Sequence, residues 1–504
     1  MYFIFFAQCR AWRPGGILRR CSDPLRSPGW PLHPSQSVHI VWPMLCCSLL
    51  ILSACSSTTA GTESIAPNST GVMNHARTPV ATSTAAIVPR TDSDIAHSIV
   101  QGMTLDQKLG QMVIVEFYGS TLNADLMQMI QGNQVGGVLI ENKNGNAQTR
   151  TQLVTLNQGM QAKASSQNAL PLFITTDFEG GIVNELRRIT GERMSESAIG
   201  ATGDPQVAYN AGHSAALDLT ALGLNVNFMP IVDVLTSPNN PGLPMRTFGS
   251  DPTLVTNMGR AYLKGLTDGG VVGCLKHFPG LGSATVDPHY SLPYMNRSVA
   301  TLNAVDLVPY RTLINEGLVP MVMVTHILNP QLDPNLPTSL SPNVVTKLLR
   351  NDLNFKGVII SDTLWMGGIS NTYSLAQAAV LAVKAGTDLL LGPRGLHDTQ
   401  NMIAGLHRAV VNGDISINQI NASVQRILEL KLRYKIISHD KALQLIANTA
   451  EVPGQAPSAM LRSARALPAP LNHPCPYHTM DWPGGFCERA WYKPASTPQA
   501  PGTD

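Results

Sequence analysis

Residues 270–289 read GVVGCLKHFPGLGSATVDPH. The first six residues form an apolar run, which predicts a buried strand. Lys276 and His277 follow this run, and the Pro- and Gly-rich segment after them predicts a turn into a loop. Side chains alternate along a strand, so these two side chains are expected to diverge within the strand and to reach one ligand only at its end. The stretch therefore predicts an active site where a buried strand opens into a loop.

The same loop carries an acidic residue two positions before a histidine, Asp287 and His289. A carboxylate can hold an imidazole in one tautomer and raise its basicity, so this pair is expected to be a proton-transfer dyad. The alternative is that both are ordinary polar residues of a turn, where such residues are common. Ionisable residues at further strand ends favour the catalytic interpretation.

The composition narrows the class of protein. The chain has 504 residues, of which 13% are charged, about half of the ~25% usual in soluble proteins. The net charge is +2 and the body of the chain has no Lys/Arg-rich tract, so no nucleic-acid partner is expected. Neither a Walker loop nor a CxxC pair occurs, and no metal or cofactor is predicted.

The segment 93–438 alternates short apolar runs with amphipathic stretches. Eight apolar runs are predicted strands: Gln111–Glu116, Val135–Ile140, Pro171–Thr176, Asn225–Pro230, Gly270–Leu275, Val319–Thr325, Gly357–Ser361 and Thr387–Leu391. Helices are predicted between them, including Pro205–Leu222, Pro252–Thr267, Asn343–Leu353 and Thr399–Val411. This pattern predicts an α/β fold, a TIM-type (β/α)8 barrel forming a single catalytic domain. An open doubly wound sheet is the alternative.

In such a barrel the chemistry lies at the carboxyl ends of the strands. The predicted strand ends carry Asp177, Glu179, Asp233, Lys276, His277, His326 and Asp362. Asp362 follows an apolar run directly, which suits a carboxylate nucleophile but equally a helix N-cap. A retaining glycosidase needs one carboxylate that attacks the anomeric carbon and a separate group that protonates the leaving oxygen. Asp362 and the dyad fit these two roles.

Four motifs, taken together, indicate a protein family. They are Lys276-His-Phe-Pro-Gly with Asp287-x-His289, Asp177-x-Glu-Gly-Gly, Arg246-x-Phe-Gly and Ser361-Asp362-x-Leu-x-Met. The set resembles that of bacterial β-N-acetylhexosaminidases in glycoside hydrolase family 3, and the resemblance covers about residues 94–435. It implies a retaining, cofactor-free exo-hydrolase that removes terminal β-linked N-acetylglucosamine from peptidoglycan fragments or chitooligosaccharides.

The resemblance also implies roles for individual residues. Asp362 is the expected nucleophile and His289 the acid/base, with Asp287 as its partner. The residues expected to bind the sugar hydroxyls are Asp177, Arg246, Lys276 and His277. A lysine, an arginine and an acceptor carboxylate together can satisfy a polyol, and the cations allow carboxylates to be buried.

The chain departs from the family pattern at several positions. Leu281 stands where the family commonly has histidine, and Ile182 and Glu185 stand where it often has arginines, with Arg187 nearby. Pro288 separates the two dyad residues and is expected to hold the first of them extended. Substrate affinity and specificity are the properties that these departures put in question.

Other functions stay open at this point. A neutral imidazole does not repel an incoming anion, so phosphate could replace water, and a β-N-acetylglucosaminide phosphorylase is one alternative. A β-glucosidase of the same family is another. A non-catalytic sugar-binding lipoprotein is the third, although the expected nucleophile and acid/base are both present.

The N-terminal region, residues 1–55, is predicted to combine misassigned upstream sequence with a lipoprotein signal. The apolar run Met44–Ala54 ends at Cys55, which resembles a lipobox whose cysteine is lipidated. The run is shorter than the roughly 20 apolar residues that span a bilayer. An uncleaved anchor helix is the alternative. The enzyme is therefore expected outside the cytoplasm, lipid-anchored to the membrane or secreted.

Two further segments flank the predicted barrel. Residues 56–92 are rich in Ser, Thr, Ala and Pro, which predicts a flexible tether. Residues 439–504 are predicted to contain a short helix, Lys441–Ala450, and a Pro-rich tail. Cys475 and Cys487 in this tail are a candidate disulfide, whereas Cys274 is expected to be a core residue.

Overall fold

The computed structural model describes residues 91–166 and 169–450. Eight parallel strands form one sheet in which each strand pairs with its neighbours in the sequence and the last returns to the first. In chain order they are β1 (Val113–Glu116), β2 (Gly137–Leu139), β3 (Phe173–Thr176), β4 (Val226–Asn227), β5 (Val272–Phe278), β6 (Met321–Val324), β7 (Val358–Ser361) and β8 (Leu390–Arg394). The predicted TIM-type (β/α)8 barrel is thereby confirmed.

The first and last strands complete the ring. Val113 of β1 lies opposite Leu390 of β8 in a parallel ladder. Between β7 and β8 the contact is a short bridge, in which the Ser361 N–H donates to the Leu389 carbonyl oxygen at 3.0 Å. A sheet joined at both edges is a barrel, so the open doubly wound sheet is excluded.

Helices surround the strands. The α-helices are Asp92–Gly102, Leu105–Gln111, Ala124–Met127, Arg150–Ala164, Arg187–Thr190, Glu196–Gly200, Pro205–Ala221, Pro252–Asp268, Val299–Thr301, Val308–Asn315, Gly367–Ser370, Leu375–Ala385, Gly395–Val411, Ile417–Arg433 and His439–Ala450. Shorter or wider turns are the 3₁₀ segments Asn142–Asn144 and Thr338–Leu340 and the π segments Gln128–Gly132, Leu302–Asp306 and Asn343–Asp352. The layer between strands and helices is the apolar core.

Helix Pro252–Asp268 shows how the sequence sets these boundaries. The Asp251 carboxylate accepts hydrogen bonds from two backbone N–H groups of the first turn, and Pro252 occupies the first turn, where it loses no hydrogen bond. One face of the helix is buried, whereas β5 beside it is buried along its whole length. This difference separates a helix on the outer layer from a strand enclosed on both sides.

The eight predicted strands all coincide with observed strands, but β5 is longer than predicted. It continues through Lys276 and His277 to Phe278, so both polar residues lie within the strand. Its pairing with β6 shifts in register between Leu275 and Phe278. Such an irregularity interrupts the strict alternation of side chains.

The sequence did not predict a small antiparallel hairpin after β3. Its strands are Phe178–Gly180 and Val183–Asn184, joined by a turn in which Gly181 has a φ of 55°. Glycine is the residue that adopts this conformation without steric cost. The hairpin forms one wall of the cavity described below.

Only some of the predictions for the flanking segments concern residues that the structure describes. The predicted helix Lys441–Ala450 is the helix His439–Ala450. Cys274 is buried and unpaired in β5, as expected of a core residue. Cys55, the tether, Cys475 and Cys487 lie outside the described residues. Within residues 91–166 and 169–450, no helix has the length and apolarity needed to cross a membrane.

Candidate active site

A cavity of about 250 Å³ opens at the carboxyl ends of the barrel strands. All seven barrel residues predicted to act on the substrate line it: Asp177, Arg246, Lys276, His277, Asp287, His289 and Asp362. Lys276 and His277 lie in β5, and the other five follow β3, β4, β5 and β7 in the chain. The fold therefore brings together the side chains that the sequence placed at separate strand ends.

One wall of the cavity is a network of buried ion pairs. The Lys276 Nζ donates to Asp177 Oδ1 at 2.6 Å and to Glu179 Oε1 at 2.7 Å. Arg246 donates to Glu179 through Nε at 2.7 Å and through one terminal nitrogen at 2.8 Å, a bidentate pair. Each carboxylate therefore meets a cation in a fixed geometry.

The network fixes the charge of its members. Burial alone would raise the pKa of Glu179, but Arg246 and Lys276 lower it to about 2. Burial alone would lower the pKa of Lys276, but the carboxylates of Asp177 and Glu179 raise it above its ordinary value. The wall therefore stays ionised at neutral pH and offers charged donors and acceptors to a polar ligand.

His277 is held by an acid that the sequence analysis noted at a strand end but gave no role. Asp233 Oδ2 lies 2.7 Å from His277 Nδ1 and accepts the His277 backbone N–H at 3.2 Å. Its other oxygen accepts the N–H of Leu281 at 2.7 Å. A carboxylate at Nδ1 keeps the proton there, which leaves Nε2 for the ligand.

The expected dyad is formed. Asp287 Oδ1 lies 2.7 Å from His289 Nδ1 and also accepts the His289 backbone N–H at 2.9 Å. The imidazole is 54% exposed, so its Nε2 is accessible. The carboxylate holds Nδ1 protonated, and Nε2 is consequently the atom that can give or take a proton.

The dyad loop is fastened to the segment that follows Asp362. The N–H of Gly367 donates to the His289 carbonyl oxygen at 2.9 Å, and the N–H of Gly368 donates to that of Pro288 at 3.0 Å. A Cβ atom at Gly367 would overlap the carbonyl oxygens of His289 and Tyr290. Glycine at this position thus allows the two halves of the site to approach.

Asp362 lies at the end of β7. Its carboxylate accepts the Thr325 hydroxyl at 3.1 Å and the backbone N–H of Thr363 at 2.8 Å. Burial alone would raise the pKa of Asp362, but His326, His277 and His289 lower it below its ordinary value. The nearest helix begins later, at Gly367, so the alternative reading of Asp362 as a helix N-cap is wrong.

His326 at the end of β6 supports the same loop. Its Nε2 lies 3.0 Å from the Thr363 carbonyl oxygen, and its Nδ1 lies 2.7 Å from the Ser339 hydroxyl. Burial lowers the pKa of His326. A neutral imidazole that donates through Nε2 and accepts through Nδ1 satisfies both contacts and holds the backbone next to Asp362.

The opposite wall contains Trp365, three residues after Asp362. Its indole N–H donates to the buried carboxylate of Glu116 at the end of β1. The Arg394 guanidinium carbon lies 3.2 Å from the ring centroid, and the Lys143 Nζ lies 5.1 Å from it. Stacked cations and a charged acceptor fix this ring at the cavity edge.

The structure shows the surroundings of two departures from the family pattern. Arg187 donates to the Gly181 carbonyl oxygen and pairs with Glu192 at 3.2 Å, and it does not line the cavity. It therefore does not replace a cation at Ile182 or Glu185. At Leu281, the other departure, the backbone N–H donates to Asp233 Oδ1 at 2.7 Å. This contact does not depend on the side chain.

Several supporting residues were missed as site residues by the sequence analysis. Glu179, Asp233 and His326 were recognised only as polar strand ends, and Glu116 only as the last residue of a predicted strand. Trp365 carried no signal, because its partner is 249 residues away in the sequence. In the described part of the chain, no group of His, Cys, Asp or Glu side chains is arranged to hold a metal ion.

Comparison with known proteins agrees with this geometry. Residues 104–430 match the glycosyl hydrolase family 3 N terminal domain. The β-hexosaminidase A of Pseudoalteromonas piscicida is 31% identical over 385 residues, 69% of this chain but 64% of that protein. The β-hexosaminidase LpqI of Mycobacterium tuberculosis is 32% identical over 363 residues, 70% of this chain and 88% of that protein.

Comparison with a solved structure indicates the same family. The glycoside hydrolase family 3 β-N-acetylglucosaminidase from Paenibacillus sp. str. FPU-7 superposes with a TM-score of 0.63 at 34% identity, covering 69% of this chain and 68% of that one. The family match spans more than half of the chain, and the barrel and its strand-end residues agree with it. The chain therefore belongs to glycosyl hydrolase family 3.

Proposed function

We propose that the enzyme is a retaining exo-β-N-acetylhexosaminidase that releases terminal β-linked N-acetylglucosamine from peptidoglycan fragments or chitooligosaccharides. The observation that carries the proposal is the meeting of Asp362 and the Asp287–His289 pair in one cavity. The β-hexosaminidase relatives support the same activity.

The first chemical step forms a covalent intermediate. The Asp362 carboxylate attacks the anomeric carbon while the bond to the leaving oxygen breaks. His289, protonated at both nitrogens, transfers the Nε2 proton to that oxygen and keeps the proton on Nδ1, which donates a hydrogen bond to Asp287. The lowered pKa of Asp362 keeps the nucleophile ionised when the sugar arrives.

The second step reverses the proton transfer. His289, now neutral, removes a proton from water, which attacks the anomeric carbon and releases Asp362. In both steps we expect Asp177, Arg246, Lys276 and His277, which line the cavity, to bind sugar hydroxyls. This wall is preformed, so little ordering is needed when the substrate binds.

The test measures nitrophenol release from aryl β-N-acetylglucosaminide and from aryl β-glucoside. Wild type should turn over the N-acetyl substrate preferentially, and Asp362→Ala should abolish turnover. Sugar 1-phosphate formed in phosphate buffer would identify a phosphorylase, which a neutral His289 also permits. Failure of wild type on both substrates would contradict the proposal.

A second experiment tests the role of His289. An activated aryl glycoside needs little protonation of its leaving group, whereas a natural disaccharide needs a full proton. His289→Ala should therefore reduce kcat on the disaccharide far more than on the aryl glycoside. Equal losses on both substrates would contradict the assignment of His289 as the acid.

The location of the enzyme is also part of the proposal. The apolar run before Cys55 supports an extracytoplasmic enzyme held at the membrane through a lipidated cysteine. Metabolic labelling with palmitate should mark wild type and not Cys55→Ala. Label retained in the variant would contradict lipidation at this residue.

A further inference from the structure

Exposed apolar side chains lie around the end of the barrel at which the active-site cavity opens. Six of them are on segments that follow the carboxyl ends of strands: Tyr118 after β1, Ile182 after β3, Met245 after β4, and Val286, Tyr290 and Tyr294 after β5. Single exposed apolar residues are ordinary, but a group of them at the rim of a cavity is typical of a ligand-binding surface. The rim is therefore a candidate contact surface for the part of a substrate that extends beyond the cavity.

The size of the cavity requires a glycan to extend beyond it. The cavity volume of about 250 Å³ is below the roughly 300–1,000 Å³ of pockets that enclose a drug-sized ligand. The terminal sugar, bound beside the nucleophile Asp362, occupies this space. The next sugar of the glycan consequently lies at the mouth of the cavity.

The acid/base determines on which side of the mouth the next sugar lies. His289 gives its proton to the oxygen that joins the two sugars, so the leaving sugar is attached at an atom within hydrogen-bond reach of Nε2. Val286 and Tyr290 flank the dyad in the sequence, and both side chains are exposed. Val286 also lines the cavity. The leaving sugar therefore lies beside the loop that carries the dyad.

The backbone of Tyr290 is anchored at this place. Its N–H donates to the Asp287 carbonyl oxygen at 3.1 Å, and its carbonyl oxygen accepts a hydrogen bond from Asn371 Nδ2 at 3.1 Å. The same carbonyl oxygen is in the path of a Cβ atom at Gly367, and the residue before this glycine, Met366, lines the cavity. The Tyr290 side chain thus starts from a fixed point next to the cavity lining.

The ring of Tyr290 is available to a ligand. The residue is 79% exposed, and in the described part of the chain no other aromatic ring is stacked on it. The axial C–H groups of a β-linked pyranose form an apolar face, which loses contact with water and gains dispersion energy on a flat aromatic ring. Because the backbone is already anchored, little ordering of the chain opposes this contact.

We propose that Tyr290 forms a subsite for the leaving sugar, in which the second sugar of the glycan stacks on the tyrosine ring and Val286 adds an apolar contact. This proposal rests on the proposed function, because the proton donor of that reaction fixes where the leaving sugar lies. The ligand is a β-linked hexosamine with an open C–H face. A small alkyl leaving group cannot make this contact, so Tyr290 favours glycans over simple glycosides.

The first test compares kcat/KM of the full chain for diacetylchitobiose, whose leaving group is a sugar, and for methyl β-N-acetylglucosaminide, whose leaving group is methanol. Tyr290→Ala should lower the preference for diacetylchitobiose about tenfold, mainly through a higher KM for this substrate. Tyr290→Phe keeps the ring and should keep the preference. A loss in Tyr290→Phe equal to that in Tyr290→Ala would attribute the effect to the hydroxyl group and overturn the stacking.

The matched control is Tyr294→Ala, which removes a second exposed tyrosine of the same loop, one whose backbone pairs with Leu328. This control should keep the preference, and an equal loss in it would overturn the assignment to Tyr290. An unchanged preference in Tyr290→Ala would also overturn it, while turnover of aryl β-N-acetylglucosaminide by wild type would leave the proposed activity standing.

A binding measurement tests the subsite without turnover and so remains decisive even if the proposed activity fails. It is calorimetric titration of Asp362→Asn with diacetylchitobiose, with and without Tyr290→Ala. The added substitution should weaken binding about tenfold. Equal affinity in the two proteins would overturn the subsite.

Discussion

An almost fully buried lysine lies at each end of the barrel, and the two have different surroundings. At the mouth, Lys276 contacts the carboxylates of Asp177 and Glu179, which raise its pKa. At the base, Lys431 projects from helix Ile417–Arg433, and its amino group donates to three uncharged oxygens and lies 4.9 Å from the centroid of the Phe173 ring. Burial lowers the pKa of Lys431 to about 7.

The partners of Lys431 explain its position. They are the side-chain oxygen of Gln111 at 2.9 Å and the carbonyl oxygens of Gly136 at 2.9 Å and Pro171 at 2.7 Å. These groups stand where the chain enters β1, β2 and β3, so one amino group ties three strand starts together. At the mouth a buried lysine pairs with carboxylates, whereas at the base a buried lysine joins the starts of three strands.

The largest effect is expected at the mouth, from Lys276→Met. The variant leaves the carboxylates of Asp177 and Glu179 buried without their shared cation, so the free energy of unfolding should fall by about 3–5 kcal/mol. The kcat/KM for aryl β-N-acetylglucosaminide should fall by about 10²–10³-fold. Urea unfolding and steady-state kinetics measure the two effects.

A double variant separates the two losses. Adding Asp177→Asn removes the carboxylate that Lys276→Met leaves without its cation, so stability should recover in part while activity stays low. Unchanged stability in Lys276→Met would contradict the view that this lysine compensates buried charge.

The second effect concerns pH and the base of the barrel. Between pH 7 and 10 unfolded Lys431 is protonated while the folded residue has lost its proton, so the unfolded chain binds more protons. This residue should therefore make the folded state more stable as pH rises, by up to about 4 kcal/mol. Lys431→Met should lack that contribution and keep its kcat at neutral pH.

The measurement is the difference in unfolding free energy between wild type and Lys431→Met at pH 7 and at pH 10. Taking the difference removes the titration of other groups, which both proteins share. An identical pH dependence in the two proteins would show that Lys431 stays protonated across this range.

The third effect links the two halves of the active site. In Gly367→Ala, the added methyl group would push against the carbonyl oxygens of His289 and Tyr290 and displace the dyad loop. Turnover of a natural disaccharide should fall by about 10²-fold, with a smaller loss on an activated aryl glycoside. The control is Gly159→Ala, whose Cβ would meet only the Leu122 side chain.

The barrel was predictable because each strand is a continuous apolar run that ends near a polar residue. Strand β5 is longer than predicted because Lys276 and His277 interrupt the apolar run, yet both are buried against acids that follow β3 and β4 in the chain. A polar residue with a charged partner is tolerated inside a strand, and the sequence alone does not show the partner.

Contacts between the first strand and the last segments of the barrel could not be predicted either, because the sequence alone does not show the partner. Trp365 meets Glu116 across 249 residues, and Lys431 meets Gln111 across 320. Both pairs depend on the return of the last strands to the first. The strand-end residues on neighbouring strands were predictable as a set because parallel strands present their carboxyl ends on one face.

The smallest effect comes from an exposed pair with the geometry of the buried one. Arg260 donates to Glu316 through Nε at 2.7 Å and through a terminal nitrogen at 2.8 Å, as Arg246 does to Glu179. Water screens the exposed pair, so Glu316→Gln should lower the free energy of unfolding by only about 0.2–1 kcal/mol.

The same substitution at the buried pair completes this comparison. Glu179→Gln leaves Arg246 and Lys276 without a shared carboxylate, so its cost should exceed that of Glu316→Gln several-fold. Added salt should weaken the exposed pair further and leave the buried pair nearly unaffected, because buried charges are screened least. Urea unfolding of both variants at low and high salt tests whether burial sets the strength of the pair, since hydrogen-bond geometry is the same in both. Equal costs would attribute the strength to geometry instead.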